Sequence, residues 1–402
     1  MEYRFLNLTA AFLIFAAVAS TTSAQSQEDV TKGQAVFNSG TIMVSKGDFA
    51  GAIQKFTEVM SILPTWHLPY LNRGVARLSL LQLAEAEADA DKALSLIRPG
   101  TSTTKLHSGI AYQIKGIVKQ HLKDYKASLD FFSLALEFVP SDAKFHNSRG
   151  TAFRLLDRNK EAFVSYSKAI ELDPMMAGFY VNRASISERL KDNEAALRDL
   201  DEALRLDKNL GSAYYTRAAI RMRSKAFPEA LADFDEAIRF EPNKSAYFHA
   251  RGLVHHSTRQ FDLAIKDHTQ AIALDPKNSH ALSDRAIAFG NLGNTKAAIE
   301  DLKKAISFNA ESSALRYNLS FFLFRSGQFS ESVEAATLAI SRSPNWRAPY
   351  ILRSNGYDKL GTTAKASDDR VKAESLNANG KPHNDKHFIF DLEVLVPEEA
   401  KP

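Results

Sequence analysis

Cysteine is absent from all 402 residues. The chain therefore has no disulfide, and it offers no thiolate as a nucleophile or as a metal ligand. The net charge is only +4, and no run of Lys and Arg follows the pattern of a phosphate-binding stretch. The charge balance thus predicts no nucleic-acid partner.

Sequence motifs of catalytic sites are also missing. No nucleophile elbow, glycine-rich phosphate loop, HExxH pair or EF-hand loop occurs. The composition, 45% hydrophobic and 24% charged, is ordinary for a folded soluble protein. We therefore expect a protein that is not an enzyme and carries no cofactor or metal.

The first 24 residues differ from the rest of the chain. Arg4 gives a positive start, residues 6–18 are almost all apolar, and Thr22, Ser23 and Ala24 offer small residues for cleavage. This is the pattern of a secretory signal peptide; the alternatives are a retained membrane anchor or a buried helix. An exported chain without cysteine favours the bacterial periplasm over secretion or anchoring by an uncleaved signal. Once the signal is removed, no stable membrane insertion is expected, and residues 25–32 are predicted to be a linker.

A 34-residue repeat fills residues 33–380. Residues 211–244 represent it well: two amphipathic helices meet at a tight turn near 225–227, Pro228 stands at the start of the second helix, and Pro242 follows its end. We call the nth residue of a copy site n. The ten copies begin at Gly33, His67, Gly109, Ala143, Ala177, Gly211, Ser245, Ser279, Ser313 and Arg347. The one insertion, eight residues around 98–101, contains Pro, Gly and Thr and predicts a loop.

Small side chains recur in fixed phase. Of the thirty residues at sites 8, 20 and 27, all except Val59 are Gly, Ala or Ser. Large rings stand between them at site 24, including Phe56, Phe132, Tyr166 and Phe234. Small residues allow helices to approach closely, so these sites mark helix crossings, and the rings are predicted to be core.

This pattern resembles the tetratricopeptide repeat (TPR), which has a small residue at site 8, Ala at 20, an aromatic at 24 and Ala at 27. The resemblance implies an all-α fold, a right-handed solenoid of antiparallel helix pairs. It also implies that the first helix of each pair lines a concave groove.

Arginine and aspartate occur together in the copies. Six of the seven copies with Arg at site 7 have Asp at site 23, and the three copies without the Arg lack the Asp. We predict ion pairs that join the two helices; an arginine ladder for an anionic ligand is the alternative. Copy four is the exception, with Arg149 but no Asp.

Histidines gather in copies seven and eight. His249, His256 and His280 stand at sites 5, 12 and 2, where the resemblance places the groove. Imidazoles there would suit zinc or a pH-sensitive contact, but no spacing of carboxylates and histidines supports a preformed site. His255 and His268 are interpreted as packing residues.

Asparagine at site 6 is the next feature of the groove. In the O-linked N-acetylglucosamine transferase type of TPR, this Asn holds the backbone of a bound peptide, and a carboxamide offers both donor and acceptor. Bonds to neighbouring helices are the alternative use. The matching residues here are Asn38, Asn72, Asn182 and Asn318. The carboxylate clamp of chaperone-binding TPR proteins is not matched by any three successive copies.

Other groove positions mix aromatic and polar groups in copies four to nine. The residues expected to contact a partner there, besides the site 6 asparagines, are Asn147, Arg154, Tyr215, His249, Asp284 and Tyr317. Aromatics beside polar groups suit a protein or peptide partner. The sequence therefore favours a non-catalytic exported scaffold that serves a cell-envelope complex. A groove that binds a small ligand, metal ion or glycan is the alternative.

Residues 381–402 follow the repeats as a C-terminal tail. Its apolar run, 386–396, alternates like a strand but also fits one face of a helix. We expect it to cover the end of the array, or else to lie in the groove or pair with another chain, which would allow self-association.

Overall fold

The computed structural model describes residues 27–98 and 100–376, and these residues form twenty α-helices joined by short loops. Within them no strand occurs, which confirms the predicted all-α fold of paired helices. The chain divides into two compact units at Lys208 and Asn209, here called unit 1 and unit 2. The predicted signal peptide and the C-terminal tail lie outside the described residues.

Each unit contains five helix pairs. Unit 1 comprises α1 Gln27–Ser45, α2 Phe49–Ile62, α3 His67–Ser79, α4 Leu83–Leu96, α5 Ser102–His121, α6 Tyr125–Phe138, α7 Ala143–Leu155, α8 Asn159–Leu172, α9 Ala177–Arg189 and α10 Asn193–Leu206. Unit 2 comprises α11 Gly211–Arg223, α12 Phe227–Phe240, α13 Ser245–Ser257, α14 Phe261–Leu274, α15 Ser279–Asn291, α16 Thr295–Phe308, α17 Ser313–Arg325, α18 Phe329–Arg342, α19 Arg347–Lys359 and α20 Thr363–Ser375. Odd-numbered helices are the first helices of the copies, and even-numbered ones are the second helices.

Eight first helices begin at the residue where the sequence places the start of a copy; α1 and α5 do not. Helix α1 begins at Gln27, so the predicted linker 25–32 is helical from that residue onward. Helix α5 begins at Ser102, and most of the insertion therefore lengthens this helix instead of forming a loop. The cause is local: Thr101 and Thr104 form a reciprocal capping box, which starts the helix at Ser102.

The turn between the two helices of a copy has one conformation throughout. The backbone at site 15 has a positive φ, between 57° and 80°, in all ten copies. Four copies have glycine there, and the other six accept the strain of a side chain in this region. The tight turn folds each second helix back along its first helix.

Rings at site 24 pack directly on glycines at site 8. The rings of Phe56, Phe132 and Tyr166 are fully buried. A Cβ added at the facing glycine would lie 2.7 Å from Phe56, 2.5 Å from Phe132 and 2.8 Å from Tyr166. The small residue at site 8 is therefore required by the ring on the opposite helix.

The predicted Arg–Asp pairs are confirmed in six copies. In each, the site 7 guanidinium donates from Nε and Nη2 to the two oxygens of the site 23 carboxylate, at 2.6–3.0 Å. The pairs are Arg73–Asp89, Arg183–Asp199, Arg217–Asp233, Arg251–Asp267, Arg285–Asp301 and Arg353–Asp369. The carboxylates are buried, so each pair is a bidentate bridge between the helices of one copy.

We predict that the pair Arg183–Asp199 is strongly coupled. Asp199→Ala leaves a half-buried guanidinium without its acid and should lower the free energy of unfolding by about 3 kcal/mol. The double variant Arg183→Ala/Asp199→Ala should lose less than the sum of the single variants, by about 1–3 kcal/mol. Thermal and denaturant melts measure these values.

The exposed pair Arg198–Glu194 on the same helix α10 is the matched control, since both side chains are largely in solvent. Its coupling should be close to zero because solvent screens such pairs. Purely additive losses at Arg183 and Asp199 would contradict the bridge.

Candidate functional site

The first helices of each unit lie against one another. In unit 1, α1 contacts α3, and the contacts continue through α5, α7 and α9; in unit 2, α11 contacts α13, α13 contacts α15, and α17 contacts α19. Among the described helices, no second helix makes a comparable contact with the next second helix. Each unit therefore curves toward its first helices, and we call this inner surface the first-helix face.

Side chains at sites 5 and 6 join neighbouring first helices, always 35 residues apart. In unit 1, Gln113 donates to the Ser148 hydroxyl at 3.1 Å, and Asn182 donates to the Asn147 carboxamide oxygen at 2.8 Å. In unit 2, Nδ2 of Asn318 lies 3.5 Å from the Ser283 hydroxyl. These contacts fix the spacing of the first helices along the face.

The four asparagines at site 6 have different surroundings. Asn182 and Asn318 each direct their own carboxamide N–H to a side chain of the neighbouring first helix. Asn72 is buried and donates to the Leu68 carbonyl oxygen of its own helix. Asn38 is exposed, and its side-chain oxygen accepts from Gln34. The structure therefore presents only Asn38 openly, and peptide binding by this set stays a prediction.

Half-buried aromatic and charged groups complete the face. In unit 2, Tyr215 stacks on Tyr247 with ring centroids 4.7 Å apart, and Tyr317 packs on Trp346 at 4.8 Å. Arg154 lies half-buried on α7 of unit 1. The two tyrosines are held rigidly by their neighbours while part of each ring stays accessible.

A carboxylate–histidine pair, which we did not expect from the sequence, lies in unit 2. Nε2 of His249 is 2.7 Å from Oδ2 of Asp284, which is 7% exposed. The spacing of the two residues in the sequence did not reveal this contact. The pair has the same 35-residue offset as the other contacts between sites 5 and 6, an offset that becomes visible only when adjacent first helices are placed side by side.

His268 is buried beside this pair. It occupies site 24, where other copies have a ring, and packs on Gly252 and 5.4 Å from the His249 ring. Both ring nitrogens are buried without a hydrogen-bond partner. Burial lowers the pKa of His268 to about 3, so the ring is neutral at physiological pH. The packing role expected for His268 agrees with its complete burial.

Another histidine pair in unit 1 was missed by the sequence analysis. Nε2 of His67 lies 2.7 Å from Nδ1 of His107, on the extension of α5. Burial, with a smaller contribution from His67, lowers the pKa of His107 to about 4. Because the extension was predicted to be a loop, nothing in the sequence placed the two rings together.

Neither histidine pair belongs to a group arranged for a metal ion. Across residues 27–98 and 100–376, no three His, Asp or Glu side chains converge in such a geometry. The helices in the same part of the chain include none with the length and apolar character of a membrane span.

We predict that His268→Phe stabilises the protein, and increasingly so in acid. Phe fills the same site in other copies and removes two unsatisfied ring nitrogens, worth about 1–3 kcal/mol at pH 7. The pKa of His268 in the folded state lies below its ordinary value of 6.5, so the unfolded chain takes up the proton first as the pH falls. The natural chain therefore loses stability from about pH 6.5 down towards pH 3, and this part of the loss should vanish in the variant.

Thermal melts at pH 7 and pH 4.5 measure this difference. Tyr166→Phe at the same site of copy four is the control, because a phenol does not titrate in that range. An equal effect of His268→Phe at both pH values would contradict the buried neutral imidazole.

Comparisons with known proteins agree with the architecture. A family model described as tetratricopeptide repeat matches residues 177–210 and 280–312. The chain is 32% identical over 103 residues to small glutamine-rich tetratricopeptide repeat-containing protein 2 of Saccharomyces cerevisiae, covering 26% of this chain and 30% of that protein. It is 44% identical over 64 residues to Hsp70-Hsp90 organizing protein 1 of Arabidopsis thaliana, covering 16% and 10%. The chain thus spans less than a third of the length of these curated relatives.

A solved structure with similar helices is YrrB, a TPR protein with an unusual peptide-binding site. It is 23% identical, with a TM-score of 0.41, and the match covers 46% of this chain and 95% of that chain. The family model thus identifies tetratricopeptide repeats in the chain, and the twenty described helices fit about ten of them.

Proposed function

We propose that this protein is a non-catalytic, exported scaffold that holds a protein or peptide partner on its first-helix face and serves the assembly or regulation of a cell-envelope complex. The observation that carries the proposal is the set of contacts between sites 5 and 6, which hold neighbouring first helices together within each unit. A surface fixed before binding loses little conformational entropy when the partner arrives.

The side chains of this surface suit a polypeptide. Tyr215 and Tyr317 are half-buried rings held in place by stacking, and Arg154 adds a cation on a first helix. Tyr and Arg are the residue types that contribute most to protein interfaces. We therefore propose that a polypeptide contacts the first helices of copies four and five in unit 1, or those of copies six to nine in unit 2.

The curated relatives support a protein-binding scaffold of the TPR type. One of them is named for organizing Hsp70 and Hsp90. The set of Lys, Asn and Arg that forms a carboxylate clamp in chaperone-binding TPR proteins is not matched in three successive copies here. We therefore propose a partner other than a chaperone tail.

Export rests on the first 24 residues alone. Arg4, the apolar residues 6–18 and the small residues before Gln25 have the order of a cleavable secretory signal. On this proposal the mature protein lies in the periplasm, and its tail, 381–402, is available for self-association.

A second candidate function is the binding of a small ligand, a metal ion or a glycan on the same face. The pair of His249 and Asp284 beside the unsatisfied ring of His268 favours it, because it supplies polar groups in a sheltered place. If this candidate is right, zinc or sugars should raise the melting temperature, and no protein partner should be recovered.

Affinity capture from the native envelope fraction tests the proposal with charge reversals. We expect one protein to be recovered in stoichiometric amount with the natural chain and to be lost with Arg154→Glu, since a reversed charge in an interface costs several kcal/mol. Arg198→Glu on α10 has the same charge change on a largely exposed side chain of a second helix, and it should capture as the natural chain does.

Equal capture by both variants would contradict binding on the first-helix face. Failure to recover any protein, together with a rise of the melting temperature in zinc or sugar, would favour the second candidate. Recovery of the partner from the cytoplasmic fraction only would contradict the export.

A further inference from the structure

Copy four has the site 7 arginine without its acid. Arg149 is half-buried on α7, and the acid position on α8 is occupied by Ser165, which is 1% exposed. In the six complete copies this position holds a buried carboxylate. Ser165 in place of Asp therefore deprives Arg149 of the carboxylate that pairs with the site 7 guanidinium in those copies.

The hydrogen bonds of Arg149 are correspondingly incomplete. Its Nε is buried and has no partner, whereas the same atom donates to a carboxylate oxygen in the six complete copies. In five of those copies Nη1 also donates to site 25 of the preceding copy. The residue at that site here, Ser133, donates to the Leu129 carbonyl oxygen of its own helix and accepts no bond from Arg149.

Within residues 27–98 and 100–376, His146 supplies the one side-chain atom within hydrogen-bond distance of the guanidinium. It occupies site 4, where five other copies place a ring 5.5–5.9 Å from the arginine. Its Nε2 lies 2.8 Å from the Pro140 carbonyl oxygen, so this nitrogen carries the proton and Nδ1 accepts in the neutral ring. Nη2 of Arg149 is 3.4 Å from that Nδ1, a poor substitute for a carboxylate.

The charges around the place are mostly positive. Burial lowers the pKa of both His146 and Arg149. The cations Arg149 and Lys168 lower the pKa of His146 further, and Asp142 is the acid that raises it. Among the described residues, no acid lies within ion-pair distance of Arg149. The buried Nε–H of Arg149 has no acceptor, and its positive charge has no counter-charge, both of which are unfavourable. An anion that enters would accept the hydrogen bond and balance the charge.

We propose that Arg149, His146 and Ser165 form a binding site for a carboxylate group, here called the carboxylate slot. The guanidinium fork matches a planar carboxylate in two parallel hydrogen bonds. The equivalent acids in complete copies are only 3–7% exposed, so a carboxylate bound at this place would be buried as they are. A small free acid and an Asp or Glu side chain of a docked protein supply the same chemistry.

Thermal melting of the full chain in potassium acetate, against potassium chloride at equal ionic strength, tests the slot. The melting temperature of the natural chain should rise with acetate concentration above its value in chloride. Ser165→Asp supplies the missing carboxylate, so this variant should melt higher in chloride and gain nothing from acetate. Arg149→Gln removes the fork and should also show no acetate effect.

Asp199→Ser in copy five is the matched variant that should gain a carboxylate-binding site. It creates a second place of the same kind beside Arg183, so the variant should be destabilised in chloride and respond to acetate more strongly than the natural chain. Titration with acetate followed by NMR gives the affinity directly, and it should fall about tenfold or more in Arg149→Gln because a charge-assisted pair of bonds is lost. This readout holds even if Ser165→Asp fails to fold.

A capped peptide with a single Glu separates the two sources of carboxylate. Binding of the peptide at least about tenfold tighter than acetate identifies a protein side chain as the ligand, and equal or weaker binding identifies a small free acid. The proposal is overturned if acetate stabilises the natural chain no more than chloride does. It is also overturned if folded Ser165→Asp responds to acetate as the natural chain does.

Discussion

The contact between site 8 and site 24 constrains the helix pairs in which a ring of the second helix packs on the first helix. In copies one, three, four and seven that ring lies directly against a glycine. A Cβ at Gly116 would lie 2.5 Å from the Phe132 ring, closer than packed atoms allow. Two of the three copies with Ala at site 8, Ala184 and Ala286, have the smaller Leu200 or Leu302 at site 24, whereas Ala218 faces Phe234. The two sites therefore change size together in several copies but not in all.

Close pairing of helices has consequences for the surfaces of each unit. It brings the guanidinium at site 7 within reach of the buried acid at site 23, and a bidentate bridge then fixes the pair. With the pairs rigid, neighbouring first helices come together at sites 5 and 6 and hold one another by polar contacts. The first-helix face is thus a product of packing, and its side chains are in place before any partner binds.

Much of the fold was predictable because it repeats. The 34-residue period, the small sites and the Arg–Asp pairs follow from ten comparisons within one chain, and the structure confirms the bridges atom by atom. The extension of α5 was not predictable from Pro99 and Gly100, because a capping box at Thr101 starts the helix immediately after them. A turn signal indicates that a loop exists, but it does not say how short the loop is.

The candidate site was less predictable than the fold. The sequence identified Asn182 and Asn318 but not their bonds to neighbouring helices, since contacts between copies depend on how far one first helix is displaced along the next. The same displacement brings His249 to Asp284, although the two residues stand at different sites of their copies. Comparison of the copies predicts contacts within a copy well. Contacts between copies become predictable only when the structure shows which residues of adjacent first helices lie side by side.

The size relation between sites 8 and 24 is tested most directly by exchanging one type of pair for the other. The measurement is the free energy of unfolding of Gly116→Ala, Phe132→Leu and the double variant, which reproduces the Ala–Leu combination of copies five and eight. Gly116→Ala alone should cost about 1–3 kcal/mol through overpacking, and Phe132→Leu alone a similar amount through the space it leaves. The double variant should recover most of this loss. A loss in the double variant equal to the sum of the two single losses would contradict the account.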